Sequence, residues 1–208
     1  GVSVTGLFIV GGGGHARSCI DVVLSEGQWE IEGIIERDGF DAPMSCGYKV
    51  LGTDSNLSQL LLARAPVLIA VGQKTSAVPR RLLYERFLSL KSVFPKVQSP
   101  NSYVSPTASL GDGTVVMHGA ILNASSYVGQ QCIVNSNATV DHDAVVEDFC
   151  HISTGALVNG GALIGEGSFI GSGAIVRDGV RIGRDVVVGA GARVMTDIPD
   201  GIVFKGAT

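Results

Sequence analysis

From Val104 onward every sixth residue is aliphatic: Val104, Leu110, Val116, Leu122, Val128, Val134, Val140, Val146, Ile152, Val158, Ile164, Ile170, Val176, Ile182, Val188 and Val194 form one unbroken register. The residue four places after each is small in nearly every case: Ala108, Thr114, Ala120, Ser126, Cys132, Ala138, Ala144, Cys150, Ala156, Ala162, Ser168, Ala174 and Ala192. A period of six matches neither the 3.6-residue helix nor the two-residue strand alternation. It predicts a parallel β-helix, each hexad a short strand plus a corner. The aliphatic residue fills the interior and the small one fits a tight inner corner. A single coil cannot bury its own face, so stacking supplies the core.

The first half has a different pattern. "LFIVGGGGHA" (7–16) reads as a buried strand running into glycines, and "RSCIDVVLSEG" (17–27) as a helix with a glycine stop. "WEIEGIIE" (29–36) is a second strand, "SNLSQLLLARA" (55–65) a helix, "VLIAVG" (67–72) a third strand and "PRRLLYERFLSL" (79–90) another helix. Strands alternating with helices predict a small Rossmann-like parallel α/β domain. Pro95, Pro100 and Pro106 mark the passage between the two patterns, which places the domains at 1–98 and 99–208.

Composition supports this division. The 208 residues are 45% hydrophobic but only 6% aromatic, and 29 are glycine, which fits many tight turns rather than a helical bundle. The net charge of −4 is uneven: residues 1–98 carry 10 basic and 9 acidic side chains, residues 99–208 carry 5 and 10. Neither half has the basic stripe that nucleic-acid binding requires. Cys19, Cys46, Cys132 and Cys150 form no CxxC pair and no zinc spacing, so they are expected as small buried thiols in a reducing compartment. No apolar run reaches the length of a membrane span and no signal peptide is visible, so no membrane contact and a cytoplasmic location are expected of this segment. Because the chain begins at Gly1, it stands equally as a domain of something longer.

Two stretches carry candidate chemistry. Gly11-x-Gly13-x-x-Ala16 follows the first strand, and Glu36 lies twenty residues beyond Ala16. This spacing fits the dinucleotide fingerprint, in which glycines let a pyrophosphate approach backbone N–H groups at a helix start. His15 falls in the first turn of that helix. There is no Gly-Lys-Ser/Thr, which argues against ATP hydrolysis. The second stretch, "TVDHDAVVEDFCH" (139–151), sets His142 between Asp141 and Asp143, with His151 nine positions on.

The hexads resemble those of the hexapeptide-repeat acyltransferases. That resemblance implies a left-handed β-helix with about eighteen residues per coil, and trimers with active sites in the clefts between neighbouring helices. "GGGGHA" followed by hexads is similar, over essentially the whole chain, to the nucleotide-sugar N-acetyltransferases of bacillosamine-type sugar biosynthesis and the related sialic acid O-acetyltransferases. The resemblance implies an N-terminal domain that holds a UDP-sugar through Gly13, Gly14, His15, Glu36, Arg37 and Gly72. It implies a β-helix that holds acetyl-CoA as co-substrate through Asn135, His151, Gly160, Gly161, Ser172 and Ala190. The family's general base, a histidine followed by an acidic residue, maps onto His142 and Asp143, and no metal is implied. "Glu-Arg-Asp" at 36–38 departs from the family's acidic start at that place.

With eighteen residues per coil, Gly160 stacks on His142, Gly161 on Asp143, and Ala124 lies on the other side. Neighbours without side chains predict a cleft beside the histidine, with room for a pantetheine arm. An imidazole titrates in the range needed to take a proton from an attacking amine, and a neighbouring carboxylate fixes its tautomer. Backbone N–H groups are expected to hold the oxyanion. His118 reads as structural or as a contact to a neighbouring subunit. Other readings stay open: sugar O-acetylation, a NAD-dependent enzyme, or a non-catalytic β-helix, including one with zinc on His118, His142 and His151. Acceptor choice is expected to depend on loops near Lys49–Thr53 and Gly72–Lys74.

Overall fold

The computed structural model describes residues 5–57 and 64–206. The chain divides into two compact units. One runs up to Gly72 and resumes over Val78–Val97; the other comprises Gln73–Ala77 and the chain from Gln98 on.

In the first unit, strand β1 (Thr5–Val10) leads into helix α1 (Gly14–Glu26), which ends at Gly27 in a left-handed conformation, φ 70°. Strand β2 (Trp29–Glu36) follows, then β3 (Met44–Ser45), β4 (Tyr48–Thr53), β5 (Val67–Ile69) and helix α2 (Val78–Ser89). The sheet order is β3-β4-β2-β1-β5, parallel except for β3. Chain order reverses between β1 and β5, which makes the carboxyl ends of these two strands the topological switch point, where open α/β sheets bind their ligands. Leu7, Ile9, Ile34, Val67 and Leu68 are fully buried in the sheet's core. The helix predicted over 55–65 falls largely on 58–63, outside the described residues. Lys49–Thr53, expected as a loop, belongs to β4 and pairs with β2. Its partner β3 reaches it through Cys46 (φ 50°) and Gly47 (φ 82°). Two consecutive left-handed residues make a tight hairpin turn.

The second unit is a parallel β-helix of three sheets, with six, five and seven strands. Every strand is two residues long and pairs with the strand eighteen positions away, as Thr139 with Leu157 and Tyr127 with Val145, except that the last pair, Val187 with Val203, is sixteen apart. The aliphatic register forms the core: the interior row from Val116 to Val194 is at most 1% exposed, with Val104 and Leu110 packed at its open end. Burying each such side chain contributes roughly 1.5–3 kcal/mol, so the row is the principal source of this unit's stability. The seven-stranded sheet extends past the hexad run at both ends, taking in Val97–Gln98 and Val203–Phe204. The three sheets therefore make about six coils. Cys132 and Cys150 sit one coil apart in the core, and burial pushes the Cys150 thiol well up. Cys46 is the exception among the cysteines. It is only half-buried, because it lies in the β3–β4 turn.

Candidate active site

Three corners join the sheets of each coil, and the expected site residues lie on two of them. His142 and Asp143 occupy the corner between Thr139–Val140 and Val145–Val146, with Gly160 and Gly161 one coil on. Asn135, Ser172 and Ala190 lie on the preceding corner of their respective coils.

At the first corner the coils join through the backbone: Asp143 N–H donates to Ala124 O and Gly161 N–H to His142 O. His142 Nδ1 is 3.0 Å from Asp143 Oδ2, and both side chains are mostly exposed. The carboxylate accepts the hydrogen bond from Nδ1–H, so Nε2 carries the lone pair of the neutral ring. Its hydrogen bond to Asp143, and then the charge of Asp141, raise the His142 pKa above the ordinary 6.5. Asp143 is in the left-handed region at φ 59°, a position held by Gly161 and Gly179 in the next two coils. Ser125 holds the same place one coil earlier, also left-handed at φ 59°, so the corner accepts a side chain there, and aspartate is among the residues that visit this region. The ring of His142 lies over Gly160: a Cβ there would come within 2.5 Å of Cε1 and 2.6 Å of Nε2. The room expected for pantetheine at Gly160 is thus taken by the imidazole itself. At Gly161 the space stays open.

In the first unit, the glycine-rich turn lies at the switch point. Gly13 is the N-cap of α1, no side chain caps the helix, and nothing stands within 4 Å of where a Gly13 Cβ would be. The first N–H groups of the helix are therefore presented to an open face, the arrangement that receives a phosphate. A side chain on Gly72, after β5, would meet His15 at van der Waals range, and Nε2 of His15 lies 3.3 Å from Cys19 Sγ one turn along the helix. Arg37 is exposed, whereas Glu36 is 5% exposed. The Glu36 carboxylate packs directly over Gly12, where any Cβ would collide with it, and accepts Ser45 O–H at 2.6 Å. Glu36 therefore supports the turn from beneath instead of facing solvent. Burial pushes the Cys19 thiol up to about 12.

Comparison with known proteins bears on both units. The PglD N-terminal domain model matches residues 6–87, and the bacterial transferase hexapeptide model (six repeats) matches 161–195. Among solved structures, the acetyltransferase domain of PglB from Neisseria gonorrhoeae FA1090 is 35% identical, with TM-score 0.84 and 96% of each chain covered. The same domain is known in complex with acetyl coenzyme A. This chain belongs to the hexapeptide-repeat sugar N-acetyltransferases. A histidine-to-asparagine variant of perosamine N-acetyltransferase from Caulobacter crescentus, in complex with CoA and GDP-perosamine, is 31% identical with TM-score 0.86, covering 98% of this chain and 95% of that one. A comparison with curated proteins gives no match. As a member of this family the acetyltransferase uses acetyl-CoA as acyl donor.

The remaining expected residues of the acetyltransferase divide into two sets. His151 is buried, and both its ring nitrogens are used within the β-helix unit. Asn135 Oδ1 accepts Ser136 N–H, so its Nδ2 is the donor to His151 Nε2 at 3.0 Å. Nδ1–H of His151 then donates to Gln73 O at 2.6 Å, and Phe169 meets the ring edge-on at 5.2 Å. His151 and Asn135 thus form a fixed polar link. Ser172 Oγ pairs with Ser153 Oγ at 3.0 Å, and its carbonyl accepts Gly191 N–H beside Ala190. Gln73, expected in a substrate loop, is buried; its Nε2 donates to the carbonyls of Phe149 and Gly167. His118 bonds Ser99 Oγ through Nδ1. Among the described residues no helix is long and apolar enough to cross a membrane, and no three His, Cys, Asp or Glu gather as a metal site.

Sequence reasoning missed Ser45, Gln73 and the partners of Asp141. For the last a signal was present: Asn123, Asp141 and Asn159 recur at the eighteen-residue spacing.

Proposed function

We propose that this acetyltransferase moves the acetyl group of acetyl-CoA to the amino group of a nucleotide-linked amino sugar, with His142 as general base and Asp143 orienting it. The single observation that carries this reading is the exposed His142–Asp143 pair, in which Asp143 engages Nδ1 and leaves the Nε2 lone pair for a proton. The acceptor amine attacks the thioester carbonyl while giving its proton to Nε2. The tetrahedral intermediate collapses with cleavage of the C–S bond, and the imidazolium returns the proton to the departing thiolate. Asp143 stabilises the imidazolium in between. Backbone N–H groups of the corner are the candidate oxyanion donors.

The open helix start at Gly13, Gly14 and His15, with Arg37 and Gly72 at the same sheet edge, is the site we assign to the sugar nucleotide's diphosphate. A UDP-4-amino-4,6-dideoxy-N-acetyl-hexosamine is the acceptor we favour, on the match to the PglD N-terminal domain. A GDP-linked 4-amino sugar is the second candidate, on the likeness to the Caulobacter enzyme. His142 and Asn135–Ser172–Ala190 occupy different corners of one chain. We assign the donor site to a cleft between subunits of a homotrimer, where one chain's His142 corner faces the other corner of its neighbour. A three-histidine zinc site is disfavoured, since His118 Nδ1 is bonded to Ser99 and His151 has both nitrogens bonded.

The test is release of CoA thiol from acetyl-CoA with UDP-, GDP- and dTDP-linked 4-amino sugars, and with a sialic acid. Turnover with an amino sugar that disappears in a folded His142→Ala protein supports the reading. Turnover confined to the sialic acid overturns N-acetylation, and a fully active His142→Ala overturns the base.

A further inference from the structure

Asp143 is one carboxylate next to His142, and Asp141, the residue before the histidine, is a second. Asp141 Oδ1 accepts the backbone N–H of His142 at 2.8 Å. It also accepts Nδ2 of Asn123, from the same corner one coil earlier, at 2.9 Å. Asn123 cannot be turned the other way, because its Oδ1 already accepts Ala124 N–H at 2.9 Å. The Asp141 carboxylate is therefore held by two fixed donors, one from the histidine it flanks and one from a neighbouring coil.

These donors have an electrostatic consequence. The His142 N–H first, and then the Asn123 amide, hold the Asp141 carboxyl below the ordinary 3.8, so it is ionised wherever the enzyme works. Its charge adds to the hydrogen bond from Asp143 in favouring the protonated imidazole. No other described charge competes at close range. The preceding corner carries Asn123, Ala124, Ser125 and Ser126, and the following one Asn159, Gly160, Gly161 and Ala162, none of them titratable. The nearest charged residues in this stack, Arg177 and Asp178, lie two coils on and pair with each other at 3.9 Å.

We propose that Asp141, aimed by Asn123, is a positioning residue of the acetyltransferase that pins the His142 backbone and sets a second fixed negative charge beside its imidazole. It rests on the reading of His142 as the base. Asp143 and Asp141 then divide the work: Asp143 fixes the tautomer, whereas Asp141 fixes where the residue sits and adds to its basicity without touching a reacting atom. An imidazolium formed during amine attack is stabilised by both. Asp143 is exposed and Asp141 half-buried beside an exposed imidazole, so the Asp141 contribution still weakens as salt rises.

The experiment is a proton NMR titration of the four histidines in the wild type, Asp141→Asn and Asn123→Ala, beside the pH profile of kcat/KM. Asp141→Asn keeps an oxygen for both donors and removes only the charge. The expected result is a His142 midpoint that falls in Asp141→Asn while the other three histidines stay in place. The acid limb of kcat/KM moves down with it, the plateau drops by less than the ~100-fold that loss of the base costs, and Asp141→Glu restores part of the limb. Asn123→Ala, which leaves the charge but frees its aim, lowers kcat more than it changes the midpoint. An unmoved His142 midpoint in Asp141→Asn, with only thermal stability reduced, makes Asp141 a corner cap and overturns the proposal. A fully active His142→Ala fails differently: it removes the base itself, and with it any role for Asp141 in the reaction, even where the midpoint shifts.

Discussion

His142 gains its basicity from the side chains at its own corner, and this makes a sign prediction. As the base we propose, His142 must be neutral to act, and hydrogen bonding to Asp143 raises its pKa above 6.5. The acid limb of kcat/KM is therefore expected above pH 6.5, with activity rising as pH passes through it and the imidazolium loses its proton. His142→Ala should lower kcat/KM by about 10²–10⁴-fold, the usual worth of a positioned base, with no change in the unfolding midpoint. Asp143 separates stability from activity in another way. It holds a left-handed backbone position where the next two coils have glycine. Asp143→Gly should leave the melting temperature unchanged or higher while turnover falls, because strain is relieved and the ring loses its orienting partner. A variant that loses both together would place Asp143 in folding instead.

A coil's element is a corner stacked on a corner, and Gly160 shows what stacking decides. Its backbone is not in the left-handed region, so alanine is tolerated conformationally, but the new methyl would collide with the His142 ring. Gly160→Ala should displace the imidazole and lower kcat about tenfold or more, since small misplacements of a reacting group are expensive. Stability should change by less than ~0.5 kcal/mol, as for exposed sites generally. Gln73 acts at the same scale with the opposite profile. Its amide satisfies the carbonyls of Phe149 and Gly167 from adjacent coils. Gln73→Ala leaves these buried acceptors without their donor, and chemical denaturation should report a loss of about 1–3 kcal/mol.

Across the whole molecule, the cores decide what reagents can reach. Cys19, Cys132 and Cys150 are fully buried, Cys19 in the first unit and the other two in the β-helix, and only Cys46 is half-exposed. A thiol reagent should therefore titrate at most one of the four cysteines in the native protein and all four after unfolding. Because the three buried thiols belong to different units, a two-step rise in reactive thiols with denaturant would report that the units unfold separately.

The sequence by itself determined whatever the six-residue period controls. In a β-helix a fixed distance along the chain becomes a fixed distance in space, so the interior row, the small corner residues and the stacking of Gly160 on His142 were all readable from spacing. The glycine-rich strand-to-helix turn was readable too, because its chemistry is local. Tertiary structure decided what has no period. The β3–β4 hairpin escaped notice because Cys46 takes the left-handed place where asparagine or glycine would have announced a turn. Glu36 has the fingerprint spacing, yet Ser45 and Gly12 turn it inward. His151 lies on a strand one and a half hexads from the His142 corner, and a carbonyl 78 residues away accepts its Nδ1–H. A hydrogen-bond partner brought in from a distant, non-repeating segment leaves no pattern at either end, so only the folded chain shows that both ring nitrogens of His151 are bonded.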